Sequence, residues 1–599
     1  MMQRPARRPW YQSCFVLNLA GGLILWTAFP PLGWWPLAWI APWCWFVVMD
    51  RQLQQAPTDN DPAASGRRRR LRDHFDGSAW LPSCLCWLLL LQGLRLAHWG
   101  THFGWIALGM YLAVYLPVFL TLTSRLTQRT PLPLPLAAAI SWTVLEWIRG
   151  HLITGFSFCL LAHTQAQHLW LIQVADFSGA YGVSFLVMLV SGLIYRAGPW
   201  NPQRSQSWSL APALTALLLL ALTAGYGALC LRTAPLKSSS QTFNVGLVQG
   251  SIDTQFGEAA IPDHKIFELY NDLTLQLRLN NPDLDLVVWP ESMFSYQGPE
   301  LLMDQDSVPP KESSMDPVEF QKRAKNHNQH FYQHTVNFAQ AINRLPTDQG
   351  TQDLEISFIL GTNCWQLPPQ EKRFNSAILV SPQGTVTNRY HKMHRVMFGE
   401  YVPGGHWFPW LYQLTPMGSG LTAGEQPVSF KVKNWNLVPN ICFESSVPHL
   451  IRRQVQHLRS AGHHPDALIT ITNDGWFWGS TILDLHLLCG VFRAVENRLP
   501  LLIAANTGIS AWIDEDGRLM ETGPRRRRQN RENGVIVAHL KKRDPRTSWY
   551  QRWGDWPWIL LGLGTLMAAY WPLKGGPRTR KKEGLVGENG PNDCDGKLS

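Results

Sequence analysis

A chain of 599 residues is too long for one ordinary domain, and its apolar residues, 45% of the total, concentrate in long runs within the first 231 residues and one run near the end. The formal net charge of +10 does not make it a nucleic-acid binder, because the basic residues cluster beside the apolar runs instead of forming one basic domain. Ten scattered cysteines with no CxxC pair indicate neither a disulfide framework nor a structural zinc site.

Spanning a bilayer as a helix takes about 20 apolar residues. Candidate spans run over 13–30, 32–49, 79–98, 103–124, 132–149, 171–195 and 209–231, with one more over 555–573. Many tryptophans sit at their ends (Trp34, Trp35, Trp99, Trp105, Trp200, Trp553, Trp556, Trp558), where indoles anchor at the water-bilayer boundary. Arg4, Arg7 and Arg8 precede the first run as in a signal peptide. No small-residue cleavage site ends that run and a second follows at once, so it is expected to be retained.

Basic residues fall on alternate loops: Arg67 to Arg70 with Arg72, then Arg125 and Arg129, then Arg196 and Arg204, then Lys574, Arg578, Arg580, Lys581 and Lys582 in the tail. The positive-inside rule puts these in the cytoplasm, and an odd number of spans sends 240–545 to the outer side. Lys541, Lys542, Arg543, Arg546 and Arg552 run against the rule, but charge at the rim of a folded domain counts less than charge on short loops. Segment 150–170 is apolar but broken by Gly155, His163 and Gln165, and reads as an interfacial or half-inserted helix. Just before it, Glu146 and Arg149 either face inward as partners or snorkel to the interface.

From residue 243 the pattern changes. Short β-branched runs at 243–250, 284–291, 355–363, 375–381, 437–444, 467–474, 500–507 and 534–540 end in polar or turn residues, with helical stretches such as 261–280 and 482–498 between them. Strands that read as continuous apolar runs are buried on both faces, which predicts a layered α/β sandwich. Residues 302–352 are polar, carry Pro309 and Pro310, and look in part like an insertion. The expected organisation is a membrane domain (1–235), a catalytic domain (240–545), a C-terminal transmembrane helix (555–573) and a basic cytoplasmic tail (575–599).

Three strand ends each deliver one reactive group: Glu291 after LDLVVWP, Lys392 in RYHKMHRVMFGEYVP and Cys442 in LVPNICFES. Alone, each is ordinary: a buried small hydrophobe, a solvated strand end, a surface lysine. Together they make an acyl-transfer apparatus. A cysteine is mostly protonated at neutral pH and needs a carboxylate to take its proton, the part for Glu291. The charge that develops on the attacked carbonyl oxygen needs fixed donors, the part for Lys392 and the backbone N–H of Phe443. His391, His394 and His406 lie nearby without an HxxxH helix or a matching carboxylate set, so neither a metal nor another cofactor is expected. The aromatic stretches 401–414 and 475–480 read either as a lid that dips into the bilayer or as packing onto the domain's own helices. Arg525 to Arg528 read as a solvated loop or as a contact to anionic headgroups.

VVWPES, YHKMH followed by FGEYVP, and NICFES, in this order, resemble the nitrilase superfamily. More narrowly, the chain is similar to the bacterial apolipoprotein N-acyltransferase family, through AFPPLGWWPLAWIAPW (28–43), LEWIRGHLITGFSF (145–158), YGVSFLVMLVSG (181–192), TNDGWFW (472–478) and RAVENRLPLLIAANTGISAWIDEDG (493–517). Only the loop near 50–77, residues 302–352 and the tail fall outside the likeness. The resemblance implies a polytopic α-helical membrane domain joined to a nitrilase-like αββα sandwich, with Glu291, Lys392 and Cys442 as catalytic triad and Glu400 and Glu444 as supporting carboxylates. Glu444, two residues past the nucleophile, either points back to the site or caps a helix. The implied reaction takes an acyl chain from a phospholipid, holds it on Cys442 as a thioester and passes it to the N-terminal amine of a diacylated apolipoprotein. The implied place is the bacterial inner membrane, multi-pass, with the catalytic domain periplasmic. The chain departs from the family pattern at Phe443, where tyrosine is frequent, and at Ser251, where asparagine is, and the tryptophan often found a little later is missing. The competing readings are a membrane-tethered amidase that uses water as acceptor and a catalytically dead membrane scaffold.

Overall fold

The computed structural model describes residues 13–571 apart from 55–76, 97, 200–207, 233–241, 255–259, 305, 311–312, 348–349, 406, 415–419 and 525–531. The expectations placed on Arg4, Arg7 and Arg8, on Arg67 to Arg70 and Arg72, on Trp200, Arg204, His406, Arg525 to Arg528 and on the tail lie outside the described residues.

The N-terminal part is helical: α1 (Cys14–Ala28), α2 (Ala41–Gln54), α3 (Trp80–Leu90), α4 (Thr101–Ala113), α5 (Tyr115–Arg129), α6 (Leu134–Arg149), α7 (Leu169–Ile172), α8 (Ala175–Ser178), α9 (Ala180–Ala197) and α10 (Leu210–Leu231). Among the described residues three helices are long and apolar enough to cross a membrane: Thr101–Arg129, which joins α4 and α5, then α9 and α10. The other candidate spans hold shorter helices, several extended by 3-10 turns, as at Trp35–Trp39 before α2 and Gln92–Leu96 after α3.

Two stretches differ from the sequence reading. The span expected over 171–195 starts as a full helix only at Ala180, because Gly179 turns the backbone to φ +71. Segment 150–170 is not a helix with a regular ladder. Ile153, Gly155 and Cys159 all take positive φ, a 3-10 turn forms at Leu161–Gln165, and the short α7 begins at Leu169. Its backbone is satisfied from outside, since Leu161 N donates to Glu146 Oε1 (2.8 Å) and Ala162 N to Ser184 Oγ (3.0 Å). Glu146 and Arg149 are therefore buried partners of this loop, and both line a cavity of about 90 Å³ among α1, α3, α5 and α6.

The helix ends sort into two sets. At one end Asp50 accepts from Tyr195 (3.0 Å) and pairs with Arg196 (3.8 Å), and Ser209 N donates to Ala197 O. The last helices, α15 (Trp549–Trp553) and α16 (Trp556–Tyr570), deliver Trp571 O to Arg129 (3.2 Å) and the Tyr570 ring to Arg125 at this same end. At the other end α9 begins with Ala180 N donating to Glu496 of the globular domain (2.8 Å), and Arg546 donates to Cys230 O near the end of α10 (3.0 Å).

The globular part carries β1 (Phe243–Gln249), β2 (Leu286–Val288), β3 (Glu300–Leu302), β4 (Arg344–Thr347), β5 (Gly350–Asp353), β6 (Ser357–Gln366), β7 (Lys372–Val380), β8 (Val386–His391), β9 (Phe430–Val432), β10 (Trp435–Ile441), β11 (Ala467–Thr472), β12 (Leu501–Ala505), β13 (Ala511–Ile513), β14 (Leu519–Thr522) and β15 (Gly534–Leu540). One sheet runs β15-β1-β2-β6-β7-β8 with β3 beside β6; the second runs β14-β13-β12-β11-β10-β9. Within them β1-β2-β6 and β10-β11-β12 are parallel. Their inner faces meet in a dry core that includes Val245, Val288, Ile359, Leu437, Ile469 and Leu502. Helices α11 (Asp263–Asn280) and α12 (Pro317–Asn343) cover the first sheet, and α13 (Pro448–Ser460) and α14 (Ile482–Asn497) the second. This is the expected αββα sandwich.

The 302–352 region is not simply an insertion. It contains the 27-residue α12, whose Phe331, Phe338, Ala339 and Ile342 pack on the first sheet with Phe358 and Ile378. Asp316 caps this helix, accepting from Val318 N and Glu319 N. On the opposite side, α14 buries 14 of its 16 residues, so it is covered on both faces. One apolar cluster runs from Leu160, Tyr181 and Val187 through Leu487 and Val491 to Val438, Leu468 and Leu501 of the second sheet. Arg498 pins the joint, donating to Gln173 and Asp176 of the helical part and to Asp516, each at 2.7 Å.

Candidate active site

Strands β2, β8 and β10 end at one edge of the sandwich, β8 running the same way as β6 because two antiparallel pairings separate them, and these three ends carry the expected groups. Glu291 follows β2 by three residues, Lys392 follows β8 directly and Cys442 follows β10 directly. Cys442 takes a left-handed backbone, φ +55, where the strand turns into a 3-10 helix. Only a few per cent of non-glycine residues adopt it, and it lifts a side chain off the end of a strand.

Lys392 is 2% exposed and lies between two carboxylates. Its Nζ donates to Glu400 Oε1 (2.6 Å) and to Glu291 Oε1 (3.4 Å). Burial works against its charge, but Glu400 and then Glu291 outweigh it, holding the ammonium well above the usual lysine range. An ammonium has three N–H groups, so one is left over for a third oxygen. Glu400 is fixed in turn by Val396 N (2.8 Å) on its second oxygen. Glu291 accepts from Asn375 Nδ2 (2.6 Å) and from Asn473 N (2.8 Å). Burial pushes the Cys442 thiol well up, Glu291 adds to this and Lys392 opposes it, so the resting group is the thiol.

Glu444 does both things its position allowed. It closes the 3-10 turn on Ile441 N (2.7 Å), and it reaches across to Met393 N (2.7 Å), His394 N (2.9 Å) and the Tyr390 hydroxyl (2.8 Å). One buried carboxylate thereby ties the strand end bearing Lys392 to the strand end bearing Cys442. Burial pushes it up to about 7 against those donors. In Glu444→Gln an amide NH2 faces one of the two donor pairs. The expected cost is about 2–4 kcal/mol of stability, measured by denaturant unfolding, with activity falling further than stability alone explains because both strand ends loosen.

Phe443 stacks between His394 (centroids 5.7 Å apart) and Phe158 of the helical part (5.8 Å), which fits a ring without a hydroxyl. His391 is held by Ser376 (2.7 Å) and stacks on Phe374; burial lowers it to about 4. Neither histidine converges on the other. Among the described residues one group has metal-ligand spacing, His151, His449 and Asp555, with ligand atoms within 4.8 Å of one another. Its two imidazoles stack at 4.0 Å and 20°, so no single ion lies in both ring planes, and it shares no residue with the Glu–Lys–Cys cluster. On the rim, Trp407, Phe408 and Trp410 stand 72%, 55% and 58% exposed, which is too open for packing onto the domain's own helices.

Comparison with known proteins follows the same division. Residues 21–193 match the apolipoprotein N-acyltransferase N-terminal domain, and residues 245–546 match carbon-nitrogen hydrolase. An apolipoprotein N-acyltransferase from Rhodopirellula baltica is 32% identical over 95% of this chain and 98% of its own. This chain belongs to the apolipoprotein N-acyltransferase family. A second apolipoprotein N-acyltransferase, from Geobacter metallireducens, is 28% identical over 93% of this chain and 94% of its own. Among solved structures, Saccharomyces cerevisiae Nit3, a member of branch 10 of the nitrilase superfamily, is 18% identical over 58% of this chain and 100% of that one, with a TM-score of 0.32. Membership makes the chain an acyltransferase of the nitrilase type with a helical membrane domain.

Asn375, Asn473, Tyr390 and the pair Asp474 and His486 make contacts around the Glu–Lys–Cys cluster and are not singled out by the sequence reading. Asn473 and Asp474 stood inside a recognised motif, TNDGWFW, but nothing in a single chain separates a motif residue that touches the carboxylates from one that packs.

Proposed function

We propose that this acyltransferase forms an acyl-thioester on Cys442 from a phospholipid and passes the acyl chain to the N-terminal amine of a diacylated lipoprotein. The observation that carries the proposal is the buried Lys392 ammonium held between Glu291 and Glu400 beside a cysteine on a left-handed strand end. Glu291 takes the Sγ proton as sulfur attacks the ester carbonyl. The spare Lys392 N–H and the Phe443 N–H receive the developing oxyanion. Collapse breaks the C–O bond, Glu291 returns the proton to the departing glycerol oxygen, and a lysophospholipid leaves. The acceptor amine then attacks the thioester and gives a proton to Glu291; collapse breaks the C–S bond, Glu291 returns the proton to sulfur, and the amide leaves. The exposed Trp407, Phe408 and Trp410 give the rim an apolar surface suited to acyl chains.

The test is incubation of the purified protein with phospholipid and a diacylated lipopeptide. Amide on the peptide is expected to exceed free fatty acid. Fatty acid as the main product would replace the proposal with an amidase-like hydrolase, and no product of either kind would favour the scaffold.

We further propose a multi-pass arrangement in the bacterial inner membrane with the catalytic domain periplasmic. The crossings are α1, α2, α3, α4 with α5, α6, α9, α10 and α16. Supporting it, Arg125, Arg129 and Arg196 gather with the end of α16 at the pole away from the sandwich, where the positive-inside rule puts the cytoplasm. Lys325 is exposed on α12. In Lys325→Cys, a membrane-impermeant maleimide added outside spheroplasts is expected to label above the unmodified protein; labelling from the cytoplasmic face alone would reverse the topology.

A further inference from the structure

Behind the proposed nucleophile lies a buried polar chain that the reaction described above does not use. Asp474, His486, Ser445 and Thr472 are all at most 7% exposed. His486 projects from α14, with Nδ1 3.2 Å from both Asp474 carboxylate oxygens. Its Nε2 lies 3.1 Å from the carbonyl oxygen of Cys442 and 2.8 Å from Ser445 Oγ. Ser445 Oγ also donates to that carbonyl (3.1 Å), and Thr472 Oγ1 donates to Asp474 (3.2 Å).

Each ring nitrogen faces an atom that only accepts hydrogen bonds, Nδ1 the Asp474 carboxylate and Nε2 the Cys442 carbonyl. An imidazolium serves both, with the Ser445 hydroxyl giving its own proton to the same carbonyl. The direction of its titration agrees: burial lowers it, but Asp474, the Cys442 carbonyl and Glu291 together raise it by more. Among the described residues the charged groups that act on the ring are Asp474 after β11 and Glu291 after β2, and from the helical part the Phe158 ring lies 6.1 Å away.

Resting on the Cys442 thioester reading, we infer that His486, charged and aimed by Asp474, is a positioning residue for the Cys442–Phe443 peptide. A cation bonded to the carbonyl oxygen of a peptide draws electron density from it and makes its N–H a stronger donor. Here that N–H belongs to Phe443, the group placed to meet the oxyanion. The same contact braces the left-handed backbone of Cys442, and the positive ring offsets the negative charge that Asp474 would otherwise present to the forming thiolate.

The experiment is single-turnover acylation of the full-length enzyme by phospholipid, followed by intact mass as a hydroxylamine-sensitive adduct on Cys442, across about pH 5 to 9. Asp474→Asn keeps the size and an acceptor for Nδ1 but removes the charge that keeps the ring protonated. Its rate is expected to fall about 10-fold relative to the unmodified enzyme at alkaline pH, less than the loss of a whole oxyanion donor. The deficit should shrink as pH falls and the ring regains its proton. His486→Gln, which cannot titrate, should show a similar deficit at every pH, and the KM for phospholipid should stay unchanged in both. Rates within twofold of the unmodified enzyme for either variant, or an Asp474→Asn deficit that ignores pH, would overturn the inference; if one variant does not fold, the other still decides it. An unmodified enzyme that acquires no adduct on Cys442 would instead remove the thioester reading itself.

Discussion

Cys442→Ala is expected to lower acyl transfer by about 10⁴-fold or more, because removing a covalent nucleophile leaves only binding and oxyanion contacts to act. The fold should hardly notice. The side chain is half-buried and contributes one sulfur atom, and the elbow is held by backbone and Glu444 contacts that alanine retains. A stability change within about 1 kcal/mol is expected from so small a truncation. The pair of measurements is the transfer assay and a thermal melt of the detergent-solubilised protein. Activity above a hundredth of the unmodified enzyme, with an intact melt, would mean that no thioester forms on this residue. The unmodified enzyme, given donor without acceptor, should accumulate a hydroxylamine-sensitive acyl adduct that the alanine variant lacks.

Lys392→Met is expected to remove activity and stability together. It leaves Glu291 and Glu400 buried, both near the position Nζ held, with no cation between them. Removing one partner from a buried ion pair typically costs 3–5 kcal/mol, because the charge left behind is uncompensated. The two proteins should also differ in how stability depends on pH. In the unmodified enzyme the lysine is held above its unfolded value, so its contribution is fully present below about pH 10.4 and is lost only as pH rises through the higher folded value. In the methionine variant the two carboxylates have to share a proton. Their folded affinity for it exceeds the unfolded one, so stability should fall as pH rises from the carboxylate range toward neutrality. Denaturant melts at acid and neutral pH measure this. A variant as stable as its parent at neutral pH would mean that the three charges are not coupled as described.

Much of this was legible in the chain because it rests on local pattern. Each of the eight apolar runs read as strands overlaps one, since strands buried on both faces leave uninterrupted β-branched segments. Glu291 and Cys442 could be named because each lies at the end of such a run, and Lys392 because it stands in YHKMH followed by FGEYVP, after a strand, β8, that is not among the eight runs. Other features depend on partners distant in sequence. The break at Gly179 and the irregular 150–170 loop are stabilised by Glu496, Glu146 and Ser184, and no window of the sequence shows those acceptors. The stretch that holds helix α12 looks in part like an insertion because its buried face is narrow, Phe331, Phe338 and Ile342 on an otherwise polar segment. His486 was passed over because its value comes from the carbonyl it faces, which a residue type alone does not announce.

The helix that covers the second sheet has no solvent side, and the apolar residues beneath it continue without interruption into the helical part. Residues 240–545 expressed alone would present that face to water and would be expected to aggregate, however complete their chemistry. The sandwich also cannot swing on a hinge to collect its lipid, because any tilt would open a seam through oil-like packing and strip Arg498 of its acceptors. Substrates of very different shape must therefore reach a stationary sulfur one after the other, and the traffic falls to the loops around it.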